Sequence, residues 1–105
     1  MSTVFEALSH PIRREVLELL KGGGMTAGEL SDRFAVSKPT MSGHFAKLKV
    51  AGLIRGENRG GTITYTLNMS TLEEAVLGFM ARVGSLSTRR GEGVDKFAKA
   101  GERRK

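Results

Sequence analysis

The sequence predicts a mainly α domain that carries one small β-hairpin (α+β). Three observations support this. Apolar residues recur at helical three- and four-residue spacings over residues 3–50 and again over 70–86, strict alternation replaces them over 62–67, and capping and stop residues separate the blocks. The expected order is α-α-α-α-β-β-α, with residues 1–88 as one domain and residues 89–105 as a basic, mobile tail.

Thr3 and Glu6 have the spacing of a capping box and would open a short first helix, whose Val4, Phe5 and Leu8 pack inward or against a second subunit. Pro11 suits the first turn of a second helix. There Ile12, Val16 and Leu20, reinforced by Leu17, form an apolar stripe, with Arg13, Arg14, Glu15 and Glu18 outward. The run of glycines at 22–24 stops it; with no Walker Lys-Ser/Thr after it and no strand before it, the run reads as a connection between helices and not as a phosphate loop.

Thr26 and Glu29 repeat the capping-box spacing, and Ala27, Leu30 and Phe34 mark the buried side of a short third helix. After a turn at residues 35–37, Ser37 can cap a fourth helix and Pro39 fits its first turn. Met41, Phe45 and Leu48 make its apolar face, while Lys38, Ser42, Gly43 and Lys47 lie elsewhere, and Gly52 ends it. A short helix, a tight turn and a longer helix with polar residues at its start is the pattern of a helix-turn-helix, whose second helix enters the DNA major groove.

Beyond Gly52 the period becomes alternating. Leu53 and Ile54 begin a strand, residues 57–61 are turn-rich, and Ile63, Tyr65 and Leu67 alternate with Thr62, Thr64 and Thr66. A hairpin directly after a recognition helix is a wing, here with Arg59 at its tip. From Ser70 or Thr71 a last helix carries Glu73 and Glu74 near its start, and Leu72, Val76, Phe79, Val83 and Leu86 form a heptad seam. Such a seam packs on a partner helix or on its own domain.

Charge sharpens the expectation. Residues 1–32 hold three basic and five acidic groups, 33–59 six and one, 60–88 one and two, and 89–105 seven and three. Positive charge therefore gathers on the fourth helix with its hairpin and on the tail, as contact with a polyanion requires. Lys38 and Lys47 suit phosphates, Arg59 an adjacent minor groove or backbone, and Ser37, Thr40 and Ser42 base edges or phosphates. Lys49 and Arg55 add electrostatic support, and His44 is either a structural hydrogen-bonding group or a phosphate contact. The tail reads as a solvated charge run or a phosphate-seeking arm.

At 105 residues the chain supports one modest core, which a partner chain would extend. The absence of cysteine excludes disulfides, thiolate zinc sites and cysteine nucleophiles, and fits a reducing cytoplasm. No stretch has the roughly 20 apolar residues of a membrane span, and the opening residues lack the basic-then-apolar order of a secretion signal. Two separated histidines without a nucleophile, base and orienting acid argue against an enzyme.

The segments HPIRREVLELL, MTAGELSDRF, VSKPTMSGHFAKLKVAGLI and RGGTITYTL together resemble the ArsR-type winged helix-turn-helix repressors, in particular their cysteine-free autorepressor branch. The resemblance covers residues 3–86. It implies a homodimer paired through its first and last helices (Val4, Phe5, Leu8, Leu72, Val76, Phe79, Val83 and Leu86), seated on a palindromic double-stranded DNA operator and blocking transcription. It places the family's S-x-H-hydrophobe element on Ser42, His44 and Phe45, which with Ser37, Lys38, Thr40, Gly43, Lys47 and Arg59 gives the expected DNA-binding set. Gly43 stands where relatives often carry a larger polar residue, and His10 where an Asp commonly caps the second helix. No cofactor or metal is expected, since the cysteine pairs and Asp/His sets by which metal-sensing relatives work have no counterpart in ELSDRF or around Glu73 and Glu74. A metal- or ligand-responsive sensor of the same family and a dimeric protein-interaction adapter are the alternative readings.

Overall fold

The structure is a computed structural model that describes residues 2–84; Leu86 and the basic stretch 89–105 lie outside the described residues. Its elements are α1 (Ser2–Ala7), α2 (Pro11–Leu20), β1 (Met25–Thr26), α3 (Ala27–Ser31), α4 (Lys38–Val50), β2 (Ile54–Arg59), β3 (Thr62–Leu67) and α5 (Met69–Val83). The chain divides into two compact units, residues Met1–Leu72 and Glu73–Lys105. The first holds a winged helix-turn-helix.

Local chemistry sets most boundaries. Helix α1 already includes Ser2, so Thr3 sits inside it and is not its cap. His10, extended at φ −113°, caps α2: its Nδ1 accepts from the Ile12 backbone N–H at 3.1 Å, the job an Asp carboxylate commonly does. The expected capping box on α3 is complete, with Thr26 Oγ1 accepting from Glu29 N–H at 3.0 Å and Glu29 Oε1 accepting from Thr26 N–H at 2.9 Å. α3 stops at Ser31, however, and Phe34 reaches its half-buried place from the following turns.

Helix α4 ends in a Schellman motif. The Leu53 N–H donates to Leu48 O at 3.0 Å and the Gly52 N–H to Lys49 O at 2.9 Å, with Gly52 at φ +79°, a left-handed conformation that favours glycine. Leu48 and Leu53, both fully buried, supply the accompanying apolar contact positions.

The sheet has three antiparallel strands in the order β1-β3-β2, one more than the hairpin that the alternation predicts. β1 is only two residues long and pairs Met25 with Tyr65 and Thr26 with Thr64. Gly24 eases that pairing: a Cβ there would stand a tight 3.1 Å from Thr66 Cγ2 and 3.3 Å from the Tyr65 carbonyl oxygen. The hairpin turn is tighter than residues 57–61 suggest. β2 continues to Arg59, which pairs with Thr62, leaving Gly60 and Gly61 as a two-residue loop with positive φ at both positions, the type I′ turn that matches strand twist.

The core of the first unit gathers Val4 and Ala7 from α1, Val16, Leu17 and Leu20 from α2, Leu30 from α3, Met41, Phe45 and Leu48 from α4, Leu53 and Ile54 at the start of the wing, and Tyr65 from β3. Tyr65 is the only fully inward member of the predicted alternation; Ile63 and Leu67 are half-buried. Its ring lies 4.8 Å from that of Phe45, tying the wing to α4, and burial raises its hydroxyl pKa.

Arg13 corrects the sequence reading. It was expected outward and is 7% exposed. The stripe explains this, because position 13 lies three and four residues before Val16 and Leu17 and so shares their face. Helix α5 buries none of its residues. It starts at Met69, so Glu73 and Glu74 fall in its second turn, where the helix dipole has largely decayed. Its expected seam residues Leu72 and Val76 are half-buried, and Phe79 and Val83 are exposed. The helix closes at Gly84, whose φ is +98°.

Candidate nucleic-acid interface

The helix that would read DNA is fixed by its back and open at its front. Met41, His44, Phe45 and Leu48 of α4 are buried, whereas Lys38, Pro39, Thr40, Ser42, Gly43, Ala46 and Lys47 are exposed. Ser37, extended at φ −70° and ψ 158°, caps the helix by accepting from the Thr40 N–H at 3.2 Å. Its own hydroxyl donates to Thr40 Oγ1 at 2.9 Å. Thr40 Oγ1 stays exposed beside this bond, so the Thr40 hydroxyl can still meet an outside partner, while the Ser37 oxygen is engaged by the cap.

Of the expected DNA-facing set, Ser37, Lys38, Thr40, Ser42, Gly43 and Lys47 come together on one exposed surface of α4 and its N-terminus. Gly43 adds no side chain, and a Cβ built there would have nothing within 4 Å, so bare backbone is what that part of the surface presents. The Lys47 ammonium lies 3.4 Å from the Glu6 carboxylate of α1, with side chains 53% and 60% exposed. A pair so open contributes at most about 1 kcal/mol and can exchange Glu6 for a phosphate. Arg59 sits at the end of β2 and not within the turn, and its guanidinium donates to Glu57 at 3.0 Å in a still more exposed pair. Gly61 N–H donates to Asn58 Oδ1 at 3.0 Å, which pins the loop beyond it.

His44 is placed differently from the rest of the set. It is 8% exposed, and its Nδ1 lies 3.1 Å from Arg13 Nη1 of α2. Burial, then the neighbouring His10 and then Arg13, hold its pKa below the ordinary histidine value. Of the two roles open to it, the geometry favours the structural one, as an acceptor at Nδ1. Arg13 is the buried neighbour of His44 that the charge pattern hides, although its position on the apolar stripe is a signal that could find it.

On the expected dimer surface, Val4 fills the core of its own chain, while Phe5 of α1 and Leu8 in the turn after it are half-buried. Leu77, outside the heptad seam, is as open as Phe79, the two being 54% and 49% exposed. Among the described residues no group of three or more His, Cys, Asp or Glu side chains is placed to hold a metal ion, and no helix is long and apolar enough to cross a membrane.

Comparison with known proteins agrees with this geometry. A helix-turn-helix domain family matches residues 8–57. The transcriptional repressor SdpR of Bacillus subtilis is 45% identical over 72% of this chain and 84% of its own length. An arsenical resistance operon repressor of Staphylococcus xylosus is 36% identical over 70% of each chain. Among solved structures, an ArsR family transcriptional regulator superposes with a TM-score of 0.70 at 29% identity, over 83% of this chain and 92% of the other.

Proposed function

From the premise that this chain belongs to the ArsR family of winged helix-turn-helix DNA-binding transcriptional regulators, we propose that it is a homodimeric repressor whose two α4 helices read the halves of a palindromic operator. The observation that carries this reading is the split of α4 between a buried face and an exposed, cation-bearing one. Lys38 and Lys47 take phosphates, Thr40 and Ser42 meet base edges, and Arg59 follows the backbone or minor groove beside the wing. Ser37 serves as the cap that holds Thr40 in place. Bare backbone at Gly43 lets the helix seat closely against the duplex. The protein is non-enzymatic, acts in the cytoplasm and needs no cofactor.

Dimerisation rests on α5. A 15-residue helix with a heptad seam and no buried residue leaves Leu77, Phe79 and Val83 exposed, and a twofold copy of the same helix is complementary to such a face. Phe79→Glu is therefore expected to shift the protein from dimer to monomer in light scattering and to weaken binding to a two-half-site duplex far more than to a single half-site. An intact dimer would remove Phe79 from the interface. The function itself is tested by gel-shift titration against genomic fragments, including the stretch upstream of the protein's own gene, at several salt concentrations. One preferred palindrome with a steep salt dependence supports the repressor, and equal binding to random duplex contradicts it.

A further inference from the structure

Three nitrogen-rich side chains meet where α1, α2 and α4 converge. The Arg13 guanidinium donates from Nε to the Ala7 carbonyl at 2.8 Å and from Nη2 to the Glu6 carbonyl at 3.2 Å, holding the end of α1. Its Nη1 faces His44 Nδ1 at 3.1 Å. Beside His44, with ring centroids 4.4 Å apart, lies His10, whose Nδ1 accepts the α2 cap bond from Ile12.

A guanidinium has five N–H donors, no acceptor, and does not give up its proton. The bond to His44 therefore exists only while Nδ1 carries a lone pair, which makes His44 the neutral imidazole with its proton on Nε2. The same reasoning assigns His10 a lone pair at Nδ1. No carboxylate among the described residues is bonded to either ring. The Glu6 carboxylate of α1 is turned to Lys47 of α4, and the other charged residues of α2 are the exposed Arg14, Glu15 and Glu18; β2, also packed on α4, carries the exposed Arg55, Glu57 and Arg59, and β3 meets α4 through the ring of Tyr65. A proton arriving on His44 meets a cation and a second imidazole, and no anion.

We propose that Arg13 is a positioning residue for DNA reading: it fixes α4 through the lone pair of His44, and a proton on that imidazole releases the helix from its reading orientation. The inference rests on α4 being the DNA-reading helix. The direction of the effect follows from the burial-depressed pKa of His44. Above the ordinary histidine value of about 6.5 both the held and the released states are neutral, and the clamp is intact. As pH falls from there through the depressed value, the released state binds the proton first, so the clamp is lost progressively. Simple electrostatics predicts the opposite sign, since added positive charge tightens binding to DNA.

The test uses the full chain and a fluorescent duplex that the chain itself enriches from a random-sequence pool at about pH 7.5. At constant ionic strength, affinity is expected to fall a few-fold between about pH 7.5 and about pH 5.5, in proportion to the lost fraction of competent protein. His44→Asn keeps an acceptor near the Nδ1 position but takes up no proton in this range, so the ratio of its affinities at the two pH values is expected to be near one, whatever its absolute affinity. Wild-type affinity that is flat or rises on acidification would overturn the proposal, as would the same loss in His44→Asn. A second readout needs no DNA. Imidazole nitrogen–proton correlation spectra of the free wild-type protein should show His44 protonated at Nε2 alone near pH 7.5, and the α4 amide signals should move with its titration. A proton on Nδ1, or α4 signals indifferent to the titration, would overturn the proposal even if no duplex were enriched and the operator reading had failed.

Discussion

Replacing Lys38 and Lys47 together with alanine is expected to weaken operator binding by roughly tenfold or more at physiological salt and to flatten its salt dependence. The slope of log affinity against log salt falls by about 0.9 for each phosphate that is no longer neutralised, so a dimer with roughly four fewer lysine–phosphate pairs should show a slope smaller by nearly 4. Stability should barely move. Lys38 is exposed, and the Lys47–Glu6 pair is a surface interaction worth about 1 kcal/mol at most. Titrations by fluorescence anisotropy at several salt concentrations, beside thermal melts of the free protein, separate the two effects. An unchanged slope would take both lysines out of the interface.

Leu48→Ala is expected to do the reverse. Leu48 is fully buried on the inner face of α4, and its carbonyl receives the Schellman bond from Leu53. Truncation strips the side chain from its packed neighbours and leaves a cavity, at a cost of about 2–5 kcal/mol. Against the 5–15 kcal/mol that roughly spans the total stability of small domains, that is a large fraction. The melting temperature should fall by about 10 °C or more. In the protein that remains folded at low temperature, the salt slope should match wild type, because the phosphate-facing lysines are untouched. A loss below about 1 kcal/mol would mean that Leu48 does not anchor α4. Together the two variants separate what holds the recognition helix from what it presents.

Much of this arrangement was legible in the sequence because its signals are local. The T-x-x-E box at Thr26 and Glu29, the cap at Ser37 and the stop at Gly52 each depend on residues a few positions apart, and each forms as expected. The threonine-separated Ile63, Tyr65 and Leu67 form a strand for the same reason. What escaped depends on partners distant in the chain. β1 has two residues and no period of its own, and forms by pairing with β3, which Gly24 approaches closely. The turn-rich composition of residues 57–61 hid how far β2 runs, since its register is set by pairing with β3 down to Arg59 and Thr62.

The candidate site shows the same division. The exposed set on α4 follows from helical spacing around Met41, Phe45 and Leu48. Arg13 was misjudged because charge argued for solvent while spacing argued for the core. Three acceptors, two of them carbonyls at the end of α1, decide that conflict in favour of burial. His44 shows that a motif can mark a residue without giving its role: its environment is made by α2, more than 30 residues away in the chain.

The most direct test of α4 as the DNA-reading helix exploits the absence of cysteine from the chain. Ser42→Cys carrying an iron–EDTA tether, added at concentrations that saturate the selected duplex, should cut DNA in two clusters centred about 10 base pairs, or a multiple of that, apart, one for each α4 of the dimer. The same tether on Glu18→Cys of α2 should leave the duplex intact. Cleavage from position 18 with none from position 42 would contradict the account.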